Sequence, residues 1–208
     1  MFLEIFCEFK RKKGGIYISE QILKLVSPIS PSVNHYLAYR AIIKNGKPMA
    51  MSYKTSEATK YQKDFTNYAI EQAKLQNWSK SVNKFQHYYM DTYFYFPRTD
   101  MDANNYFKCM ADAITESAKI WIDDNQLCER VQGIWYDSKN PRVEMWIKKV
   151  DYIGIFKDVS QLDAFISNNC VQCNRYKNGK CSLLVKSKEG RIIEEIVDLK
   201  CSKFKGVK

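Results

Sequence analysis

Apolar residues recur along this chain with two different periods, and the switches between them outline its elements. Ile22–Val26 has the short apolar run of a strand, and Pro28, Pro31 and Ser32 break it into a loop. From Thr59 to Leu75, positions Tyr61, Phe65, Tyr68, Ala69, Gln72 and Ala73 follow helical spacing, with Ser56 and Thr59 as caps. The aromatic-rich segment Phe85–Phe96 reads as a strand stopped by Pro97. A second helix is predicted from about Ala103 to Ala118, with the stripe Phe107, Met110, Ala111, Ile114 and Ala118. Asn104, Lys108 and Asp112, each four apart, line a neighbouring polar face. Strands over Gln126–Tyr136 and Arg142–Val150 flank an Asn140-Pro141 turn. This order predicts an α+β fold, with two main helices packed on a mixed sheet.

The pattern divides the chain. Residues 1–20 could be an extra strand, an amphipathic arm or an extension, while 21–155 carry the main domain. A linker helix is expected within 156–169, then a small cysteine-rich module over 170–208.

Charge changes the picture. The chain carries a formal +10, and residues 170–208 hold ten Lys/Arg against four acids, so the tail alone accounts for +6. Such a balance favours polyanionic partners. Hydrophobic content of 45% with 14% aromatics excludes a disordered chain. No apolar run approaches the roughly 18 residues of a membrane span, and Lys10–Lys13 follow the first apolar stretch instead of preceding it as in a secretory signal. A cytoplasmic protein without membrane partner or small-molecule cofactor is the expectation.

Against this basic background, acids cluster twice: Asp100 and Asp102 ahead of the second helix, and Asp123-Asp124 after it. Residues two apart in extended chain point the same way, and an antiparallel return would bring the second pair back towards the first. Oxygen ligands from two such segments suit Mg²⁺, with Lys108 facing a phosphate. The plainer alternative is that Asp102 caps the helix and Asp123-Asp124 form a turn.

Three motifs decide between these. Pro31-Ser-Val-Asn34-His-Tyr36, then Asp102-Ala-Asn104-Asn105-Tyr-Phe-Lys108 with Asp112-Ala-Ile114, and finally Asp123-Asp124-Asn125-Gln126 stand in order around an aromatic strand. Together they resemble the RusA family of Holliday junction resolvases over roughly residues 20–150. The resemblance implies a RusA-like mixed sheet and a Mg²⁺- or Mn²⁺-dependent endodeoxyribonuclease of phage or prophage origin. Its partner would be branched DNA, nicked symmetrically by a homodimer inside a bacterial host cell. It implies Asp102, Asp124 and Lys108 as catalytic residues, with Asp100, Asn104 and Asp123 completing the metal set. One departure matters: in the gap-free register Asn104 stands where the family has its second aspartate, and Asp100-Met-Asp102 forms the pair in the alternative register. A non-catalytic binder of structured nucleic acid that keeps the fold is the competing reading.

Asn34, Tyr36 and Arg40, followed by Lys44, Lys47 and Lys54, read as a basic DNA-facing loop, or else as a solvated loop with Tyr36 in the core. In the tail, Cys170-x₂-Cys173, Cys181 and Cys201 offer four thiolates for tetrahedral zinc with a short helix over the metal; an iron–sulfur cluster or unliganded thiols are the alternatives. Arg175, Lys177 and Lys180 would make that module a second grip on nucleic acid. His35 and His87 have no partner at metal-ligand spacing.

Overall fold

The computed structural model describes residues 10–13, 16–19, 21–191 and 195–206. Its elements in chain order are β1 (Lys10–Lys13), β2 (Ile16–Ser19), β3 (Ile22–Ser27), a one-turn α1 (Val33–Tyr36), β4 (Leu37–Lys44) and β5 (Lys47–Lys54). These are followed by α2 (Ser56–Leu75), β6 (Tyr88–Phe96), α3 (Phe107–Glu116), β7 (Leu127–Tyr136) and β8 (Arg142–Lys149). The chain finishes with α4 (Val159–Asn169), α5 (Ser182–Lys188), β9 (Ile196–Val197) and β10 (Lys200–Cys201). It separates into two units, the first over residues 1–82 and 88–148, the second over 83–87 and 149–208.

In the first unit a four-stranded mixed sheet runs in the order β3-β8-β6-β7. β3 pairs antiparallel with β8, whereas β6 and β7 are parallel, with α3 in the crossover between them. Strict alternation in β6 buries Tyr88, Met90, Thr92, Phe94 and Phe96, one face of a central strand. Against that face pack Phe65, Ala69 and Ala73 of α2 and Phe107, Met110 and Ile114 of α3. The mixed α+β architecture read from the periodicities is therefore the one observed.

Local chemistry sets the boundaries. Thr55 caps α2, its hydroxyl accepting the Ala58 N–H at 3.2 Å, where Ser56 and Thr59 had been expected. At the other end of α2 the Gln76 amide bonds both backbone groups of Lys24, at 2.9 and 2.8 Å, and the Tyr68 hydroxyl accepts the Val26 N–H at 3.1 Å. These side chains occupy backbone groups along edge strand β3 that another strand could otherwise pair with. The expected helix over 103–118 is shorter and broken: a 3-10 turn at Ala103–Asn105 precedes α3, and Ala118 lies exposed at φ +52° beyond its end. Asn104 consequently does not share the α3 face that carries Lys108 and Asp112.

The segment read as a basic loop is instead a regular hairpin. β4 and β5 pair antiparallel from Leu37↔Lys54 to Lys44↔Lys47, closed by Asn45 and Gly46 at φ +53° and +73°. Both turn residues are left-handed, the two-residue Asn-Gly turn whose twist matches a hairpin. N-terminally, β1 and β2 form a further two-stranded pair, while the apolar positions Phe2, Ile5, Phe6 and Phe9 lie outside the described residues.

The second unit has its own core of Ile153, Phe156, Leu162, Phe165, Cys170 and Leu184. Helix α4, expected as a linker, thus supplies two core residues. Gly154 sits at φ +58° where a Cβ would lie 1.9 Å from the Ser187 carbonyl oxygen, so any side chain there would push α5 away. The expected helix over Leu183–Leu199 is confined to α5; Ile192 and Ile193 lie outside the described residues.

Phe94 is fully buried, with ring centroids of Phe96 and Phe107 at 5.0 and 5.5 Å. Phe94→Ala is expected to lower the unfolding free energy by about 3–5 kcal/mol in urea titration, the usual cost of deleting a buried aromatic ring.

Candidate active site

The start of α3 and the 3-10 turn Asp124–Gln126 converge on one ammonium group. Lys108 Nζ lies 2.6 Å from Asp112 Oδ1, one helical turn ahead, and 3.3 Å from Asp124 Oδ2, across the crossover. Asp112 is the more enclosed partner, at 19% side-chain exposure against 39% for Asp124. The Asp112 carboxylate first, and Asp124 after it, hold the Lys108 ammonium above its ordinary value, against the opposing effect of burial. Lys108 stays cationic through neutral and moderately alkaline pH.

The turn carrying Asp124 is itself clamped. Asp123 caps it by accepting the Asn125 N–H at 3.1 Å, and buried Gln126 accepts the N–H groups of Ile122 and Asp123 at 2.8 and 3.2 Å. Asp123 is occupied in shaping the turn, which leaves Asp124 as the carboxylate presented to Lys108.

Behind Asp112 runs a hydrogen-bond chain. Tyr36 donates its hydroxyl to Asp112 Oδ2 at 2.5 Å and accepts from Gln62 Nε2 at 3.0 Å. Gln62 Oε1 in turn accepts from Lys54 Nζ at 2.6 Å, and Lys54 pairs with Glu116 at 3.1 Å. Burial first, then the bond to Asp112, pushes the Tyr36 phenol up to about 12. On β7, Glu129 has its carboxyl raised, by desolvation first and by the charge of Asp124 second, with Lys108 opposing.

A family model described as endodeoxyribonuclease RusA matches residues 9–148. This chain belongs to the RusA family. Membership places it among nuclease hydrolases of the Holliday junction resolvase type, which act on branched DNA in recombination. The match takes in β1 and β2 and ends before the cysteine-rich tail. No curated protein matches the chain.

Of the residues that resemblance to RusA singled out, Lys108 and Asp124 are brought together. Asp102 is exposed and accepts the Asn104 N–H at 3.0 Å, capping the 3-10 turn. Asp100 pairs with Arg98 at 2.8 Å on the surface, and Asn104 is exposed. Both acids lie close enough to Tyr106 to raise its phenol, after desolvation as the larger cause and with Arg98 opposing. Among the described residues, no three Asp, Glu, His or Cys side chains form a group able to hold a metal ion. Of the two readings of Tyr36, at DNA or in the core, burial matches the second: it is 6% exposed and bonds Asp112. Asn34 and Arg40 are exposed, the latter over the Tyr53 ring at 5.5 Å. The sequence reading passed over Gln62 and Glu129 and gave Asp112 no role of its own. Its i,i+4 spacing from Lys108 was the available signal.

In the second unit, Cys170, Cys173, Cys181 and Cys201 line one cavity of about 10 Å³. Burial first, then the neighbouring Cys181, Cys201 and Cys173, pushes the Cys170 thiol up to about 11. Burial also acts to raise Cys173, but backbone N–H donors of Lys205, Arg175 and Tyr176 outweigh it and lower that thiol. Arg175, Lys177 and Lys180 are exposed.

A neutral Tyr36 is favoured by folding, so the folded state binds more protons than the unfolded chain between the ordinary tyrosine value of 10.0 and about 12. Its contribution to stability is complete below that window and is lost as pH rises through it. Tyr36→Phe is expected to flatten, though not abolish, the alkaline decline of the melting temperature, because Tyr61 and Cys109 are also raised.

Proposed function

We propose that the protein is a divalent-metal-dependent endodeoxyribonuclease that resolves four-way DNA junctions by paired nicks, acting as a homodimer. The observation that carries this reading is the convergence of Lys108 and Asp124 from opposite ends of the β6–β7 crossover, 3.3 Å apart. The metal dependence rests on family membership: Asp124, Asp102 and Asp100 or Asn104 are the hard oxygen donors that the resemblance assigns to Mg²⁺ or Mn²⁺, although among the described residues they are not gathered into a metal-holding group. Such an ion, when bound, activates water and neutralises phosphate charge.

The chain's own groups do the rest. Lys108, kept protonated by Asp112, offers its ammonium to a non-bridging phosphate oxygen while water adds to phosphorus and the bond to the 3′-oxygen breaks, leaving a 5′-phosphate and a 3′-hydroxyl. Asp112 fixes the direction of that ammonium, and Tyr36 fixes Asp112. In the register that sets Asn104 at the family's second aspartate position, an amide replaces a carboxylate, so cation affinity is lower and Asp124 bears more of the negative charge. Two-fold pairing of subunits would match a two-fold junction. The half-exposed aromatic face of the sheet, with Tyr93 and Trp146 rings 4.5 Å apart and Trp135 beside them, offers an apolar surface for that pairing.

For the second unit we read the four cysteines as a structural zinc site on their number and spacing: they share the lining of one cavity, although among the described residues they do not form a metal-holding group. Arg175, Lys177 and Lys180 on its surface would add phosphate contacts.

On a synthetic four-way junction with Mg²⁺, paired nicks are expected from the native protein, and Asp124→Asn should slow them at least about a hundredfold while junction binding persists. Binding without nicks from the native protein would favour the non-catalytic reading. Metal analysis of purified protein should find about one zinc per chain, lost with a fall in melting temperature in Cys181→Ser. A metal-free native protein whose four thiols react freely and whose melting is unmoved by added zinc would remove that site.

A further inference from the structure

The β4–β5 hairpin stands apart from the sheet chemistry described so far. It is a sheet of two strands only, and β5 is exposed along its whole length. Its eight paired positions reach roughly 26 Å from root to tip at the usual rise per residue. Two-stranded hairpins are marginal in water unless something covers them. Among the described residues its side-chain and turn bonds to the rest of the domain lie at its root, where Thr55 bonds the carbonyls of Tyr36 and His35 at 3.1 and 2.8 Å, and Lys54 reaches Gln62.

Its composition says what would cover the rest. Residues 37–54 contain Arg40, Lys44, Lys47 and Lys54 and no carboxylate. Lys54 is engaged by Glu116, but among the described residues no acid pairs with Arg40, Lys44 or Lys47. Cross-strand pairing places Arg40/Met51, Ile42/Met49 and Lys44/Lys47 on one face. The opposite face carries Ala41/Ala50 at its middle, flanked by Tyr39 at 72% exposure and Ile43 at 80%. The ribbon is therefore thin at its centre, cationic towards its tip and studded with exposed apolar groups.

A second copy of the same ribbon would set cation against cation, which opposes self-association there. A polyanion with a groove fits instead. The major groove of duplex DNA is about 12 Å wide and admits a two-stranded ribbon. Its walls are phosphates for Arg40, Lys44 and Lys47, and its floor has methyl groups and base edges for Tyr39 and Ile43.

We propose that the β4–β5 ribbon is an arm that lies in the groove of a duplex next to the cleavage site. This rests on the DNA-directed reading of the Lys108 site and adds to it a position for the flanking duplex. The arm's root is Tyr36, the residue whose hydroxyl holds Asp112 and through it Lys108. A duplex held by the ribbon is thus held at a fixed angle to the ammonium group.

Binding alone tests the arm, so the outcome is separate from whether the protein cuts. In the Asp124→Asn background, Arg40→Ala/Lys44→Ala/Lys47→Ala should weaken binding to a four-way junction at least about tenfold at 0.1 M salt. It should also make the slope of log K against log salt shallower by about 2 to 3, one phosphate contact per residue. Lys60→Ala/Lys63→Ala/Lys74→Ala on the exposed side of α2 removes the same charge and should leave that slope within about 1. Lys44→Arg/Lys47→Arg, which keeps both charges, should bind as the background protein does, separating lost contacts from a lost hairpin. Equal slopes for the ribbon and α2 variants would overturn the proposal. So would sedimentation showing that the ribbon variant turns a dimer into monomers, since the surface would then be a subunit contact.

Discussion

One ammonium group between two carboxylates organises this molecule. Lys108 is bonded to Asp112 on its own helix and to Asp124 across the parallel crossover, so a single cation ties the start of α3 to the entry of β7. The pair with Asp124 is partly exposed and adds little to stability by itself. Its consequence is positional. The crossover helix must sit so that its first turn faces the residue entering the next strand, and the buried stripe of Phe107, Met110 and Ile114 is what puts it there. Packing thereby delivers the charge geometry, and the clamp of Asp123 and Gln126 on the second turn keeps Asp124 from drifting away.

Around that contact the structure layers its support outward. Asp112 uses both oxygens, one on Lys108 and one on Tyr36, and Tyr36 is braced by Gln62 and Lys54. Each member is satisfied: no buried side-chain nitrogen or oxygen among the described residues lacks a partner. The same chain of bonds forms the base of the β4–β5 ribbon. The site and the ribbon consequently share one foundation, a reason for thinking of them as parts of one DNA-handling surface.

Much of this was legible in the sequence where periodicity or spacing carried it. The stripe on α3, the alternation of β6 and the return of Asp124 towards Lys108 all follow from residue order. Dual-use residues were not separable: Asp102 and Asp123 suit a metal and suit a cap equally, and both appear as caps. The hairpin was obscured because its many lysines read as a loop, although Asn45-Gly46 carried the turn signal. Tyr36, Gln62 and Lys54 could not be linked from sequence, since their bonds depend on three elements meeting in space. The tail's cysteines stand out as a set by spacing and line one cavity without forming, among the described residues, a metal-holding group, while α4 turned out to be core because Leu162 and Phe165 face inward.

The most direct test is a crystal structure of the protein on a four-way junction with Ca²⁺ in place of Mg²⁺, which would hold substrate without turnover. The account predicts Lys108 Nζ within hydrogen-bond distance of a scissile phosphate oxygen, still backed by Asp112, with the Asp124 carboxylate on the cation. A phosphate bound away from Lys108, with that ammonium enclosed by its two carboxylates alone, would contradict it.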